Sequence, residues 1–120
     1  MANVGRIPTE LDELLPLSPS TFFVLFALAD GEKHGYRIMQ EVKVLSDSKV
    51  KMGPATLYTT IQKLSDQSFI EEVENSSDDR RRNYRLTHSG RQLLEAELSR
   101  QRDVLLFAKK RRIFLFRGEA

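Results

Sequence analysis

The stretch GPATLYTTIQKLSDQSFIEEVENSSDDRRRNYRLT, residues 53–87, changes its period part-way. Its first third is helical. Gly53-Pro54 opens the helix, with Pro54 at the first position, where a missing N–H costs nothing. Leu57, Ile61 and Leu64 share one narrow stripe and make the buried side. Thr56, Thr59 and Lys63 point the other way, and Tyr58 and Gln62 lie on a flank. From Phe69 the pattern alternates. Ile70 to Glu74 read as a strand, Asn75 to Asp79 are turn formers, and Arg80 to Leu86 read as the returning strand. Tyr84 and Leu86 fall on one face and Arg85 on the other, so the hairpin has a basic tip and a basic second strand.

Upstream, two more helices are predicted. One opens at Ser18, a good N-cap, with Pro19 at its first position. It is apolar nearly all round from Phe22 to Ala29, which predicts a central buried helix that Asp30-Gly31 stops. The next covers Gly35 to Leu45, with Ile38, Met39, Val42 and Leu45 as its core face. Residues 46–52 are expected to add a short strand, anchored by Val50 and Met52. Residues 1–17 read as an arm docked through Leu11, Leu14 and Leu15. Downstream, Thr87 caps a helix that is expected to reach Phe116, more than about 35 Å at roughly 1.5 Å per residue. A helix that protrudes with an apolar stripe needs a partner to cover it. Leu94, Leu98, Leu105 and Ala108 are the expected dimer contacts. The fold class is therefore mainly α with a small β-hairpin (α+β). It divides into an arm at 1–17, a winged helix-turn-helix domain at 18–87, a dimerisation helix at 88–116 and a tail at 117–120.

A chain of 120 residues fits one domain. It has no cysteine, which removes disulfides and thiol chemistry and fits a reducing cytoplasm. The net charge is only +2, so the distribution of charge matters more than the total. Lys49, Lys51, Lys63, Arg80, Arg81, Arg82 and Arg85 crowd the middle, while Glu10, Asp12, Glu13, Glu95 and Glu97 lie towards the ends, on turns and solvated faces. No apolar run reaches a membrane span, and no apolar stretch follows Arg6 to make a secretory signal. Nothing points to an enzyme or a cofactor. There is no metal-ligand spacing and no Gly-rich phosphate loop, and His34 and His88 sit at helix starts, as caps or exposed groups.

Three helices followed by a basic hairpin are the winged helix-turn-helix plan. A helix about 10–12 Å across fits a major groove about 12 Å wide. Thr56 and Thr59 are short enough to approach base edges, Lys63 can reach a phosphate or a guanine, and Arg80, Arg81 and Arg82 can lie along the backbone. Each has a plainer reading as well. The threonines suit a solvated face, Tyr58 suits packing on the hairpin, and Asp78 and Asp79 offset the arginines.

Four segments resemble the PadR family of regulators. They are His34-Gly35-Tyr36-Arg37-Ile38, then Gly53-Pro54-Ala55-Thr56-Leu57-Tyr58, then Lys63-Leu64 with Phe69-Ile70-Glu71, and finally Arg82-Asn83-Tyr84-Arg85-Leu86-Thr87 with Gly90. The resemblance spans residues 18 to about 100 and is of the short form with one C-terminal helix. It implies a homodimer joined through that helix, with two third helices in successive major grooves of a palindromic operator on double-stranded DNA. It also implies repression and release by a small apolar or aromatic effector, and places Tyr36 and Tyr58 against the DNA backbone. The chain has no tryptophan, so any effector pocket does not rest on tryptophan stacking. The alternative is a winged-helix module that meets a protein instead of DNA.

Overall fold

The computed structural model describes residues 9–74 and 82–113. Its elements in chain order are α1 (Thr9–Asp12), α2 (Pro19–Ala27), β1 (Lys33–His34), α3 (Gly35–Leu45), α4 (Pro54–Asp66), β2 (Ile70–Val73), β3 (Asn83–Leu86) and α5 (His88–Lys110). The strands form one antiparallel sheet in the order β1-β3-β2. In its register Glu71 faces Arg85 and Glu72 faces Tyr84.

Helix α2 is the hub. The Ser18 hydroxyl accepts the Thr21 N–H at 3.3 Å, which caps it. Val24, Leu25 and Leu28 are fully covered and pack with Ile38 and Val42 of α3, Leu57, Ile61 and Leu64 of α4, and Leu93 and Leu94 of α5. Burying a leucine-sized side chain contributes roughly 1.5–3 kcal/mol, so this cluster is the main source of stability. Tyr84 is the sheet's buried contribution, and burial, helped by the Glu72 charge, pushes its hydroxyl above the usual phenol range.

Four local expectations are corrected. Residues 46–52 form a loop that begins with a turn at 46–48, and the third strand is instead Lys33–His34, too short to show a period. The Ser46 hydroxyl accepts the Val50 N–H at 2.9 Å, and Asp47 and Ser48 take φ of 53° and 62°, which closes the chain into a loop and prevents extension. Val50 and Met52 do pack against the core. Leu45 has the right angular position but stands in the last turn of α3 and is 36% exposed. Of the arm leucines, Leu11 is buried and Leu15 packs on the core, but Leu14 is exposed. Helix α5 ends at Lys110, where Arg112 adopts φ 60° and the Ile113 N–H reaches the Ala108 carbonyl at 3.2 Å. Phe116, the expected end of the helix, lies outside the described residues.

Glu97 is the larger surprise, because it is 1% exposed. Its carboxylate accepts the Leu17 N–H at 3.0 Å, Arg100 Nη2 at 2.6 Å and Gln101 Nε2 at 2.8 Å. Burial alone would raise its pKa, but these hydrogen bonds outweigh burial and hold it below the usual glutamate value. The group thus ties the N-terminal arm to α5. A lowered folded pKa gives stability that is present above the unfolded value and lost as pH falls through the folded one. Wild type should therefore lose thermal stability more steeply than Glu97→Gln as pH drops below about 4.5. Near neutrality Glu97→Gln should cost about 2 kcal/mol, since hydrogen bonds to a charged group are removed. Parallel melts across pH check both points, and equal acid slopes would remove Glu97 from this role.

The second tight contact joins sheet and helix. A Cβ at Gly90 would overlap the Phe69 carbonyl, a backbone group that cannot swing aside. Gly90→Ala should cost roughly 3 kcal/mol, at the upper end for overpacking, and a thermal melt would show it.

Candidate nucleic-acid interface

Leu57, Thr60, Ile61 and Leu64 turn one side of α4 into the core. Thr60 is buried without penalty because its hydroxyl donates to the Thr56 carbonyl at 2.8 Å. The opposite side is left to solvent, and Thr56, Thr59 and Lys63 are all exposed on it. Gly53 brings no side chain to cap the helix, and no acidic residue lies in its first turn. The start of α4 therefore carries an uncompensated partial positive charge. Asp66, the acid at its far end, is held by Gln62 at 2.8 Å.

Tyr36 and Tyr58 flank this face. Tyr36 projects from the first turn of α3 and is exposed, and Tyr58 is 50% exposed. The Tyr58 ring lies across the start of α3, where a Cβ on Gly35 would collide with its hydroxyl. Sequence reasoning assigns Gly35 no role of its own, although it stands in the His34-Gly35-Tyr36 segment. Here the absent side chain lets the Tyr58 ring lie against the helix start. The His34 ring caps α3, its Nδ1 accepting the Arg37 N–H at 3.3 Å.

The described strands of the hairpin are less basic than their composition implies. Arg85 pairs with its cross-strand partner Glu71 at 2.8 Å, and Arg82 approaches Glu72 at 3.9 Å. Such exposed pairs are weak, so Arg82 stays available to a stronger anion. Arg80 and Arg81 lie outside the described residues. A basic group that composition does single out, Lys49 and Lys51, stands in the loop before α4, and both side chains are exposed.

The expected dimer residues divide. Leu94 is 3% exposed and belongs to the hydrophobic core of the domain. Leu98 and Leu105 are open, Leu105 at 46%, and Ala108 is half-buried. Residues 94, 98, 101, 105 and 108 alternate steps of four and three, the spacing of a helix-pairing seam, with Gln101 as its polar member. Val104, Leu106 and Phe107 add further exposed apolar surface on the outer half of α5. Among the described residues no helix is long and apolar enough to cross a membrane, and no cluster of three His, Asp or Glu could hold a metal ion.

This chain is similar to several known proteins. An uncharacterized 37.1 kDa protein in transposon TN4556 of Streptomyces fradiae is 38% identical over 74 residues, 62% of this chain. This chain spans only 20% of that relative's length. A PadR family transcription regulator from hypervirulent Clostridium difficile superposes with TM-score 0.66 at 18% identity, over 78% of this chain and 97% of its own. PadR of Bacillus subtilis, solved in complex with operator DNA, superposes with TM-score 0.60 at 27% identity, over 69% of this chain and 47% of its own. Residues 24–96 match the transcriptional regulator PadR-like family, from the hub helix to the buried half of α5. With well over half of its length matching, the chain belongs to the PadR-like family of transcriptional regulators.

Proposed function

We propose that the protein is a transcriptional repressor that binds a palindromic operator in double-stranded DNA as a homodimer. The observation that carries this reading is the outer face of α4. Thr56, Thr59 and Lys63 stand clear of the core on a helix whose start is free of acid. Short hydroxyls let the helix backbone come close to base edges, and the lysine adds a phosphate or guanine contact. The Bacillus subtilis relative with its operator supports the same use of the fold. Tyr36, Tyr58 and Arg82 flank the face and would position the duplex, together with Arg80 and Arg81, which precede β3 in the sequence.

The exposed seam of α5 supports the homodimer. Leu98, Leu105 and Ala108 would meet their counterparts in a second copy, while Leu94 keeps the helix attached to its own domain. The two α4 helices would then enter successive major grooves. A small apolar or aromatic effector would act between the paired α5 helices, where its binding would bias the spacing of the reading heads.

Selection from a random duplex library at near-physiological salt tests the central claim. The expected result is a palindromic consensus with half-sites about one helical turn apart. Sequence-blind binding, or none, would instead favour the reading as a protein-interaction module. Lys63→Ala should weaken operator binding and make the slope of log K against log salt shallower by about 0.9 for each phosphate that the variant no longer neutralises. A salt titration by anisotropy reads that slope. The double variant Leu98→Glu/Leu105→Glu should sediment as a monomer and bind operator much more weakly. A dimer that survives both substitutions would place the interface elsewhere.

A further inference from the structure

The cations of the winged-helix body are not equally free. Lys33 is paired with Asp30, Arg37 with Glu41 at 3.6 Å, Arg82 with Glu72 and Arg85 with Glu71. Arg91 donates to the Ala29 carbonyl at 3.0 Å. Lys43, Lys49, Lys51 and Lys63 have no carboxylate partner among the described residues, and all four side chains are exposed. They lie together in sequence on the end of α3, the loop after it and α4, and Asp47 is the one acid inside the loop.

Lys43 and Lys51 also share a groove. Tyr36, Met39, Ser48 and Met52 line it with them. Met39 and Met52 are partly covered by the core and give the groove an apolar floor. The loop that carries Lys51 is closed by the Ser46 hydroxyl, which accepts the Val50 N–H at 2.9 Å, so the lysine projects from a fixed backbone.

We infer that this groove holds the sugar-phosphate backbone of the duplex beside the major groove that α4 reads, with Lys43 and Lys51 on the phosphates and Met39 and Met52 against the deoxyribose. A nucleic-acid strand has this two-sided chemistry, charged along its phosphates and apolar on its sugars. The Tyr36 hydroxyl, exposed at the same groove, donates to a phosphate oxygen. Backbone positioning then comes mainly from the α3–α4 segment. The described wing arginines each stand beside a carboxylate, Glu71 or Glu72, whose charge lowers the local positive potential, and add less. This rests on the DNA-binding reading above and names the residues that orient the duplex.

The test compares wild type, Lys43→Gln/Lys51→Gln and Arg82→Gln on a duplex carrying the selected consensus. Exposed lysines change folding little, and a melt verifies that the double variant is intact. The double variant should show a salt slope shallower by about 3.6, which is about 0.9 for each of the four phosphates that these lysines neutralise in a dimer. Its ranking of base substitutions in the operator should stay that of wild type. Arg82→Gln should change the slope by less than about 0.9, the value of a single phosphate. A second measurement uses duplexes with single neutral methylphosphonates flanking each half-site. Wild type should lose affinity at specific positions where the double variant is indifferent. If wild type binds no duplex, the functional reading fails and this inference with it. If wild type binds its consensus and the double variant keeps the wild-type slope and methylphosphonate profile, only this inference falls, and the groove belongs to an acidic protein surface.

Discussion

The meeting of Phe69, Thr87 and Gly90 fixes the rest of the molecule. The Phe69 carbonyl accepts the Thr87 N–H at 3.1 Å, and the Phe69 N–H returns to the Leu64 carbonyl at the end of α4 at 2.9 Å. The Thr87 hydroxyl donates to the Ser68 carbonyl at 2.6 Å and accepts the Gly90 N–H at 3.0 Å. Gly90 then sits so close to the Phe69 carbonyl that no side chain fits between them. The end of α4, the root of the wing and the start of α5 are thereby joined through backbone groups within a few residues. Phe69 and Gly90 are buried, and their backbone groups find partners within the joint. The direction of the exposed α4 face relative to the axis of α5 follows from that joint.

Charge is arranged around the joint in two ways. On the wing, opposite charges face each other across the strands, as Glu71 does Arg85. Those pairs favour the hairpin register and reduce its field. On the α3–α4 segment the lysines have no such partners among the described residues, so the field there is uncompensated. A net charge of +2 hides this difference, because acids at other places in the chain cancel the sum without cancelling the local potential. The distribution, more than the total, suits a protein that approaches a polyanion from one side.

Much of this is legible in the sequence, and the reasons are specific. The starts of α3 and α4 follow from His34-Gly35 and Gly53-Pro54, where cap and proline chemistry act locally. The stripe of Leu57, Ile61 and Leu64 follows from helical period alone. Features set by distant contacts are not legible. Strand β1 exists because β3 offers an edge to Lys33 and His34, which two residues cannot announce. Glu97 looks like a solvated acid, since its partner Leu17 is 80 residues away. Gly35 looks like a helix start, and its closeness to Tyr58 depends on how α3 and α4 cross. Leu94 carries the spacing of the seam, but periodicity does not mark where along α5 the domain ends and the free surface begins.

That last point bears on how the two halves of α5 cooperate. The step of four and three runs without interruption from Leu94, in the core, through Leu98 and Gln101 to Leu105 and Ala108. One continuous helix of 23 residues therefore carries the domain's own packing at one end and an exposed apolar seam at the other. Glu97 clamps it between them, drawing on Leu17 from the arm and on Arg100 and Gln101 from the next turn. A rotation of the outer half would have to turn Leu93 and Leu94 within a close-packed core or break that clamp. A displacement at the seam is thus passed to the joint at Gly90, and through it to α4, as a rigid-body movement. Geometry of this kind ties the exposed seam of α5 to the exposed face of α4.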